Sequence, residues 1–336
     1  MDSKGFLLRR SVFTQKGTLG DILYLTIFYA NNDVRNGVYK WTEREGLVLL
    51  GNPFGNSWST AKIVGSHDGK IVHIGDSSGN GRLFTSVDGT TFTQRNISPL
   101  IIPLSMACSG DGSILYISRG QICKINGLNA TNSTSIFTGN SKSMLSNTEG
   151  ALLYSYGYLG DEECFSTFIS NGLSPAINRY IYDVETNGHR VKLAAASGDF
   201  NKIYLLLDYF DDSGLPTTFL YSNDRLTSRS TLVSNQQIYS AVCSKDGSKA
   251  FLHSGYYQSS YLRAYLNGAM INEMTITGVA RTYKDMVYSG NDVLYLSHND
   301  NRRVFKSDNG TSTPQEIVNI GSSGTITGLF TNIDKR

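Results

Sequence analysis

One hydrophobic pattern recurs along the whole chain: a Gly, Asp or Asn turn is followed by a short, strongly apolar run. The runs are four to six residues long and rich in Ile, Leu, Val and Tyr, which predicts buried β-strands rather than helices. Their starts lie 38 to 51 residues apart, near Ile22, Ile71, Ile114, Leu152, Ile203, Ala250 and Val293. A repeat of this length that fills the chain is typical of a β-propeller.

Weaker strand patterns surround each strong run and complete a four-stranded unit. The stretch before it alternates small and apolar residues, as in 59–66, 102–109, 238–244 and 282–289, which suits an innermost strand. Two further short strands follow, often separated by Asn-Gly or Asp-Gly turns, which favour tight hairpins. We therefore predict an all-β fold over residues 1–336, a single seven-bladed β-propeller with four-stranded antiparallel blades. The units are expected to start near residues 6, 57, 101, 141, 190, 236 and 280.

Each end of the chain carries the pattern of a single strand that does not belong to a complete four-stranded unit. Residues 324–334 read GTITGLFTNID and resemble an innermost strand, and residues 6–13 read FLLRRSVF. An open ring would leave two unpaired sheet edges, which natural proteins avoid. We expect the two termini to meet in one blade, with 324–336 as the closing strand.

One turn, 86-SVDGTTF-92, resembles the Asp-box repeat of sialidase-like propellers, in the shorter form found in bacteriophage virion and tail proteins and in bacterial surface proteins. A looser copy is 307-SDNGTST-313. The resemblance implies a structural turn between the third and fourth strands, in which Ser and Asp cap backbone amides. The residues to which it assigns this role are Ser86, Asp88, Gly89, Phe92, Ser307, Asp308 and Gly310.

Composition narrows the classes of partner. Only 17% of the 336 residues are charged, the net charge is +2, and the basic residues are scattered, so no nucleic-acid partner is expected. No apolar run has the length of a membrane span or a signal peptide, so we expect no membrane insertion and synthesis in a host cytoplasm. The four Cys form no Cys-x-x-Cys pair and the five His have no ligand spacing, so no metal and no cofactor are predicted.

No catalytic residue is predicted. The sialidase family has an Arg-Ile-Pro signature near the first blade, whereas the corresponding region here reads 7-LLRRSVF. A Gly-x-Ser-x-Gly nucleophile elbow and a phosphate-binding loop are also missing from the sequence. We expect the chain not to be an enzyme, with a sialidase-like glycan hydrolase as the alternative.

The connections after the strong strands differ most between units. Four of them are long and rich in aromatic or acidic residues, namely 28–37, 156–165, 208–216 and 255–261. In a propeller these connections emerge on one face, where Tyr rings can stack on sugars or anchor a protein and carboxylates can bind hydroxyls. The predicted ligand-binding residues are Tyr156, Tyr158, Asp161, Glu162, Tyr209, Asp211, Asp212, Tyr256, Tyr257 and Tyr261.

The sequence thus favours a non-enzymatic binding or assembly propeller. The leading hypothesis is a bacteriophage virion protein of the tail or capsid surface. Its expected partners are a host-surface glycan or receptor, neighbouring virion or tail proteins, or further copies of itself within a particle. An intracellular protein-interaction scaffold is a second alternative, although the Trp-Asp signature of WD-repeat proteins is missing.

Overall fold

A computed structural model describes residues 21–55, 58–78, 81–99, 102–138, 140–159, 162–170, 189–209, 217–222, 230–256, 259–276 and 283–334. These residues form β-strands joined by turns and contain no helix, in agreement with the predicted all-β class. Accordingly, no helix long and apolar enough to cross a membrane is found in this part of the chain.

Twenty-six strands are described, most of them four to nine residues long. In chain order they are β1 (Leu23–Phe28), β2 (Gly37–Thr42), β3 (Gly46–Gly51), β4 (Ala61–Gly65), β5 (Val72–Asp76), β6 (Leu83–Ser86), β7 (Thr93–Arg95), β8 (Ser105–Cys108), β9 (Ile114–Ser118), β10 (Gln121–Asn126), β11 (Thr134–Thr138), β12 (Asn140–Ser146), β13 (Leu152–Leu159), β14 (Glu162–Ser170), β15 (His189–Ala196), β16 (Ile203–Tyr209), β17 (Thr217–Ser222), β18 (Ser230–Cys243), β19 (Lys249–Tyr256), β20 (Ser259–Leu266), β21 (Ala269–Ile276), β22 (Tyr283–Tyr288), β23 (Val293–His298), β24 (Arg303–Asp308), β25 (Gln315–Asn319) and β26 (Thr325–Thr331).

The strands form antiparallel sheets in which sequence neighbours are mostly sheet neighbours. Four sheets have four strands each: β26-β1-β2-β3, β4-β5-β6-β7, β8-β9-β10-β11 and β22-β23-β24-β25. A fifth has three described strands, β12-β13-β14, and a sixth has seven, β15 to β21. The predicted four-stranded antiparallel organisation is therefore confirmed, but hydrogen bonding connects the strands into six sheets rather than seven.

The seven-stranded sheet, called here the fused sheet, arises from one long strand. The first half of β18 pairs with β17, for example Thr217 with Gln236, and its second half pairs with β19, from Gln237 opposite Gly255 to Cys243 opposite Ala250. β18 thus ends one four-stranded unit and begins the next. Its sequence, STLVSNQQIYSAVC, contains no Gly or Pro that would interrupt the strand.

The strong strands are where the apolar pattern predicts them. β1, β5, β9, β13, β16, β19 and β23 each begin within one residue of the predicted position and each lies second in its unit. Both faces of this strand pack against neighbouring sheets. In β5, for example, all five residues are buried, the polar His73 and Asp76 as well as the apolar Val72 and Ile74.

The last strand lies in the same sheet as the first described strand. β26 pairs antiparallel with β1, from Leu23 opposite Thr331 to Phe28 opposite Thr325. Beyond the ladder, the Ile22 amide donates to the Asn332 side chain at 2.9 Å. The stretch 6–13, which we expected to be a terminal strand, lies outside the described residues.

Buried hydroxyls join neighbouring four-stranded units. A Tyr near the start of the second strand donates to a glycine carbonyl in the first turn of the next unit: Tyr24 to Gly69 (3.0 Å), Tyr116 to Gly150 (2.5 Å) and Tyr204 to Gly247 (2.9 Å). His73 occupies the equivalent place, with Nε2 2.8 Å from the Gly112 carbonyl and Nδ1 2.8 Å from the Thr85 hydroxyl. Burial lowers the pKa of His73 to about 4, so it serves here as a neutral hydrogen-bonding ring.

Candidate functional site

The two ends of the sheets are chemically different. One end, the hairpin face, carries the connections between second and third strands. The opposite end, the collar face, carries the turns between first and second strands, and also the turns between third and fourth strands.

Six of the ten predicted ligand-binding residues lie in strands that run to the hairpin face, and not in loops. Tyr156 and Tyr158 lie in β13, Glu162 begins β14, and Tyr209 and Tyr256 end β16 and β19. The structure describes only the backbone of these five residues. Asp161, Asp211, Asp212 and Tyr257 lie outside the described residues, and Tyr261 lies in β20 with a half-buried side chain.

The prediction of long loops at 156–165 and 255–261 is wrong. β13 and β14 remain paired as far as Leu159 opposite Glu162, and β19 and β20 as far as Tyr256 opposite Ser259, so only two residues separate the paired strands in each case. The aromatic residues that suggested a loop are good strand formers and extend the ladder instead.

As a result, three neighbouring units are taller than the rest. Most strands from β12 to β21 have seven to nine residues, whereas those in the sheet β4 to β7 have three to five. Because the turns at the collar face are alike, the extra residues project from the hairpin face, by about 7 Å for each two residues. The tall strands make a one-sided wall that carries the Tyr-rich hairpins.

An arginine network stiffens this wall. Arg263 is almost fully buried, and its Nε donates to Glu273 at 2.6 Å while one terminal nitrogen donates to Gln236 and to Ser254, each at 2.5 Å. The guanidinium carbon also lies 4.8 Å from the ring centroid of Tyr261. These contacts connect β18, β19, β20 and β21, so the Tyr261 ring is held in place.

A row of aromatic rings fills the joint between the fused sheet and the last sheet. The His253 ring centroid lies 4.9 Å from that of Tyr239 and 5.5 Å from that of Tyr283. His253 is fully buried, and neither ring nitrogen makes a hydrogen bond of normal geometry to a described residue. Burial lowers the pKa of His253 to about 4, and the nearby Tyr283 backbone opposes this shift only in part.

On the collar face, four turns share one capping arrangement. In 66–71 the Ser66 hydroxyl donates to Asp68 at 2.6 Å and accepts from the Ile71 amide at 2.9 Å, while Asp68 accepts from the Lys70 amide at 3.0 Å. The same set recurs in three further turns: 109–114, 197–202 and 244–249. The sequence shows three of these four turns as Asp-Gly signals, whereas in 197–202 Asp199 is followed by Phe200.

The turn 86–92 is capped by side chains of its own residues. It joins the third and fourth strands, β6 and β7, and Asp88 accepts from the Ser86 hydroxyl and from the amides of Thr90 and Thr91 at 2.7 to 2.8 Å. These hydrogen bonds hold the pKa of Asp88 well below its usual range. Gly89 has φ +69°, and Phe92 packs on the core cluster around Tyr24.

The turn after β24 is built differently. Ser307 donates to the Ser312 carbonyl at 2.6 Å and Gly310 has φ +61°. The Asp308 carboxylate, however, pairs with Lys306 at 3.2 Å and does not cap the turn amides. The physical reason is register: Asn309 stands where Asp88 stands in 86–92, so the carboxylate is one residue too early.

Two cavities are lined by residues from several sheets. One of about 290 Å³ is lined by the first strands of five sheets, with Lys62, Asp285 and Thr327 among the lining residues. Another of about 640 Å³ opens on the collar face between the turns 244–249 and 289–293. Across the described ranges, no group of three or more His, Cys, Asp or Glu side chains is arranged to hold a metal ion.

Comparison with known proteins shows the fold but not a family. No protein-family model matches the sequence, and no curated protein sequence is similar to it. The periplasmic gluconolactonase PpgL of Pseudomonas aeruginosa is structurally similar, with a TM-score of 0.57, 14% identity, and 93% of this chain and 98% of that chain covered.

Two further solved structures share the architecture. The β-propeller domain of Myceliophteria thermophila Cps50 (Swd1) has a TM-score of 0.54 at 9% identity, over 77% of this chain and 85% of that one. A prolyl endopeptidase has a TM-score of 0.59 at 15% identity over 92% of this chain, which matches 50% of the endopeptidase chain. Together with the sheets described above, these similarities establish a β-propeller fold.

The comparisons also correct the expectation that the chain is not an enzyme. Solved structures of a gluconolactonase and a prolyl endopeptidase share this fold. The expectation rested on missing catalytic signatures, and that argument fails because the same fold occurs in enzymes. At these low identities the similarity indicates the fold alone and transfers no activity.

Proposed function

We propose that the chain is a closed ring of seven blades. Dividing the fused sheet at β18 and adding the three-stranded sheet to the four complete ones makes seven units. The first strands contact one another in the cyclic order β4, β8, β12, β15, β18, β22, β26 and back to β4, which supports the ring. The pairing of β26 with β1 would then fasten the last segment of the chain to the first blade.

Within this ring we infer a binding function for the hairpin face. The observation that carries the proposal is the one-sided wall of tall strands, because longer hairpins cost backbone ordering and contribute little to the core. The wall carries the Tyr-rich segments 152–170 and 249–266 on two blades, with the blade of β15 to β18 between them. Tyr rings beside hydroxyl and carboxylate groups suit the flat faces and polar edges of sugars.

The proposed ligand is a surface polysaccharide, and the proposed setting is a bacteriophage particle that attaches to a bacterial host. Supporting this setting are the low charge of the chain, with 17% charged residues, and the resemblance of the turn 86–92 to turns of phage and bacterial surface propellers. Attachment to neighbouring virion proteins is the competing outcome of the test.

The test is retention of the labelled protein on bacterial cells and on their extracted surface polysaccharides, with cleavage of the polysaccharide scored in parallel. The paired substitution Tyr256→Ala and Tyr257→Ala is expected to weaken retention about tenfold or more, since two aromatic contacts are lost. Val34→Ala is the matched control, because Val34 is 87% exposed on the hairpin face of the short first sheet.

Saturable retention that the Tyr pair loses and the Val34 variant keeps would support the proposal. Retention that both variants keep would contradict the proposed face. Failure to bind any bacterial surface would contradict the proposed ligand and favour a neighbouring virion protein.

A further inference from the structure

Backbone hydrogen bonds connect the collar turns of neighbouring four-stranded units. In each turn the residue after the capping residue donates its amide to the carbonyl of the equivalent residue in the next turn. The series runs from His67 to Gly110 (2.6 Å), Gly110 to Thr148 (2.7 Å), Thr148 to Gly198 (2.7 Å) and Gly198 to Lys245 (2.6 Å), and Ile333 donates to His67 (2.7 Å). We call this set of bonds the collar.

One joint of the collar is open. Lys245 is the next donor in the series and Gly290 the next acceptor, but no hydrogen bond joins them. Within the described part of the chain, the Lys245 amide and the Gly290 carbonyl have no other partner either. Gly290 donates its own amide to Asn332 at 3.2 Å, so the collar resumes directly after the gap.

The 640 Å³ cavity lies at this open joint. Residues of both adjoining turns line it, including Lys245, Lys249, Gly290 and Asp292, and Asp334 lines it from the C-terminal segment. A volume of this size is in the range of small-ligand sites in proteins, and an unpaired backbone donor and acceptor at its wall are the groups that a ligand would satisfy.

The charged side chains around the cavity form ion pairs that a ligand could replace. The Lys249 ammonium lies 3.0 Å from Asp292, and the Lys245 ammonium lies 2.5 Å from Asp334. The four side chains are 33–43% exposed, and ion pairs at such exposure are worth little. Tyr288 donates to Asp292 at 2.6 Å and fixes that carboxylate at the cavity wall.

We propose that the open joint binds a short zwitterionic peptide. A peptide group has one acceptor and one donor, which match the unpaired Lys245 amide and Gly290 carbonyl. The terminal carboxylate of the peptide would replace the aspartates as the partner of the two lysines. Its terminal ammonium would pair with the aspartates that the lysines release. The ligand would thereby supply the missing link of the collar, on the face opposite the proposed polysaccharide site.

The test uses triglycine as the probe and isothermal titration of the full chain. Triglycine is expected to bind at millimolar concentration or below, and acetylated, amidated triglycine at least about tenfold more weakly, because charge-assisted hydrogen bonds are lost. Lys249→Met is expected to raise the Kd of triglycine by a similar factor. Lys202→Met is the control, since the Lys202 ammonium bonds to Asn267 outside the cavity.

Amide hydrogen exchange of the unmodified chain gives a second readout that needs no variant. The Lys245 amide is expected to exchange faster than those of Gly110, Thr148 and Gly198, and triglycine should slow it. The proposal is overturned if the Lys245 amide is already protected, if triglycine does not bind, or if Lys249→Met binds it unchanged. Equal binding of inorganic phosphate or putrescine would also overturn it, because these probes carry charge of only one sign.

Discussion

Replacing His253 by Phe tests whether this buried imidazole destabilises the protein in acid. His253 has no exposed surface, lies between the rings of Tyr239 and Tyr283, and makes no regular hydrogen bond to a described residue. Phe has a similar flat ring and does not titrate, so the substitution preserves the packing and removes the proton site.

The magnitude follows from proton linkage. Burial lowers the pKa of His253 from 6.5 to about 4 in the folded state, so the unfolded state binds more protons between those values. Stability is therefore lost as pH falls from about 6.5 to about 4. For one group with this shift, the loss between pH 7 and pH 4.5 is about 2.5 kcal/mol.

The assay is urea unfolding of both proteins at a series of pH values from 7 to 4.5. Acidic groups contribute equally to both proteins, so the difference between them isolates His253. The wild type is expected to lose about 2.5 kcal/mol more than His253→Phe over this range. Parallel pH dependence of the two proteins would refute the reasoning, as would an NMR titration of His253 with an ordinary pKa near 6.5.

Three further predictions concern the joints between sheets, each measured as a change in unfolding free energy or melting temperature. Tyr116→Phe should cost about 1 to 2 kcal/mol, because it leaves a buried carbonyl of the next sheet unpaired; no change would contradict the role of these tyrosines. Gly89→Ala should destabilise more than Gly46→Ala, because both glycines have φ +69° but only at position 89 would Cβ come 2.2 Å from the Tyr24 hydroxyl; equal effects would contradict this. Truncation after Gly324 removes β26 and should lower the melting temperature sharply, and an unchanged melt would contradict the role of β26 in closing the ring.

The strands could be predicted from the sequence because each strong strand is buried on both faces. Such a strand is largely apolar, as Val72 and Ile74 of β5 and residues 114–117 of β9 show, and the adjoining Asp-Gly turns mark its start. These signals are local, so they can be recognised in the sequence without knowledge of the tertiary structure.

The joints could not be predicted because they connect distant residues. Tyr24 and Gly69 are 45 residues apart, and Tyr204 and Gly247 are 43 apart, so no local pattern links them. Although a Tyr recurs near the start of several strong strands, its burial suggested only packing. The collar uses backbone atoms, which leave no trace in the sequence.

The hairpin face was misread for a different reason. The Tyr and Ser residues of 156–165 and 255–261 are common both in binding loops and in strands, and composition alone does not separate the two. The cross-strand pairing in the structure, such as Gly255 opposite Ser260, shows that these segments form strands. The six candidate residues that the structure describes therefore lie in paired strands.

The proposed binding face is tested most directly by hydrogen exchange of the chain with and without a surface polysaccharide that retains it. The account predicts added protection at the hairpin ends of β13, β14, β19 and β20, and none in the collar turns 66–71, 109–114 and 244–249. Protection confined to the collar turns, or absent from the tall hairpins while the polysaccharide is bound, would contradict it.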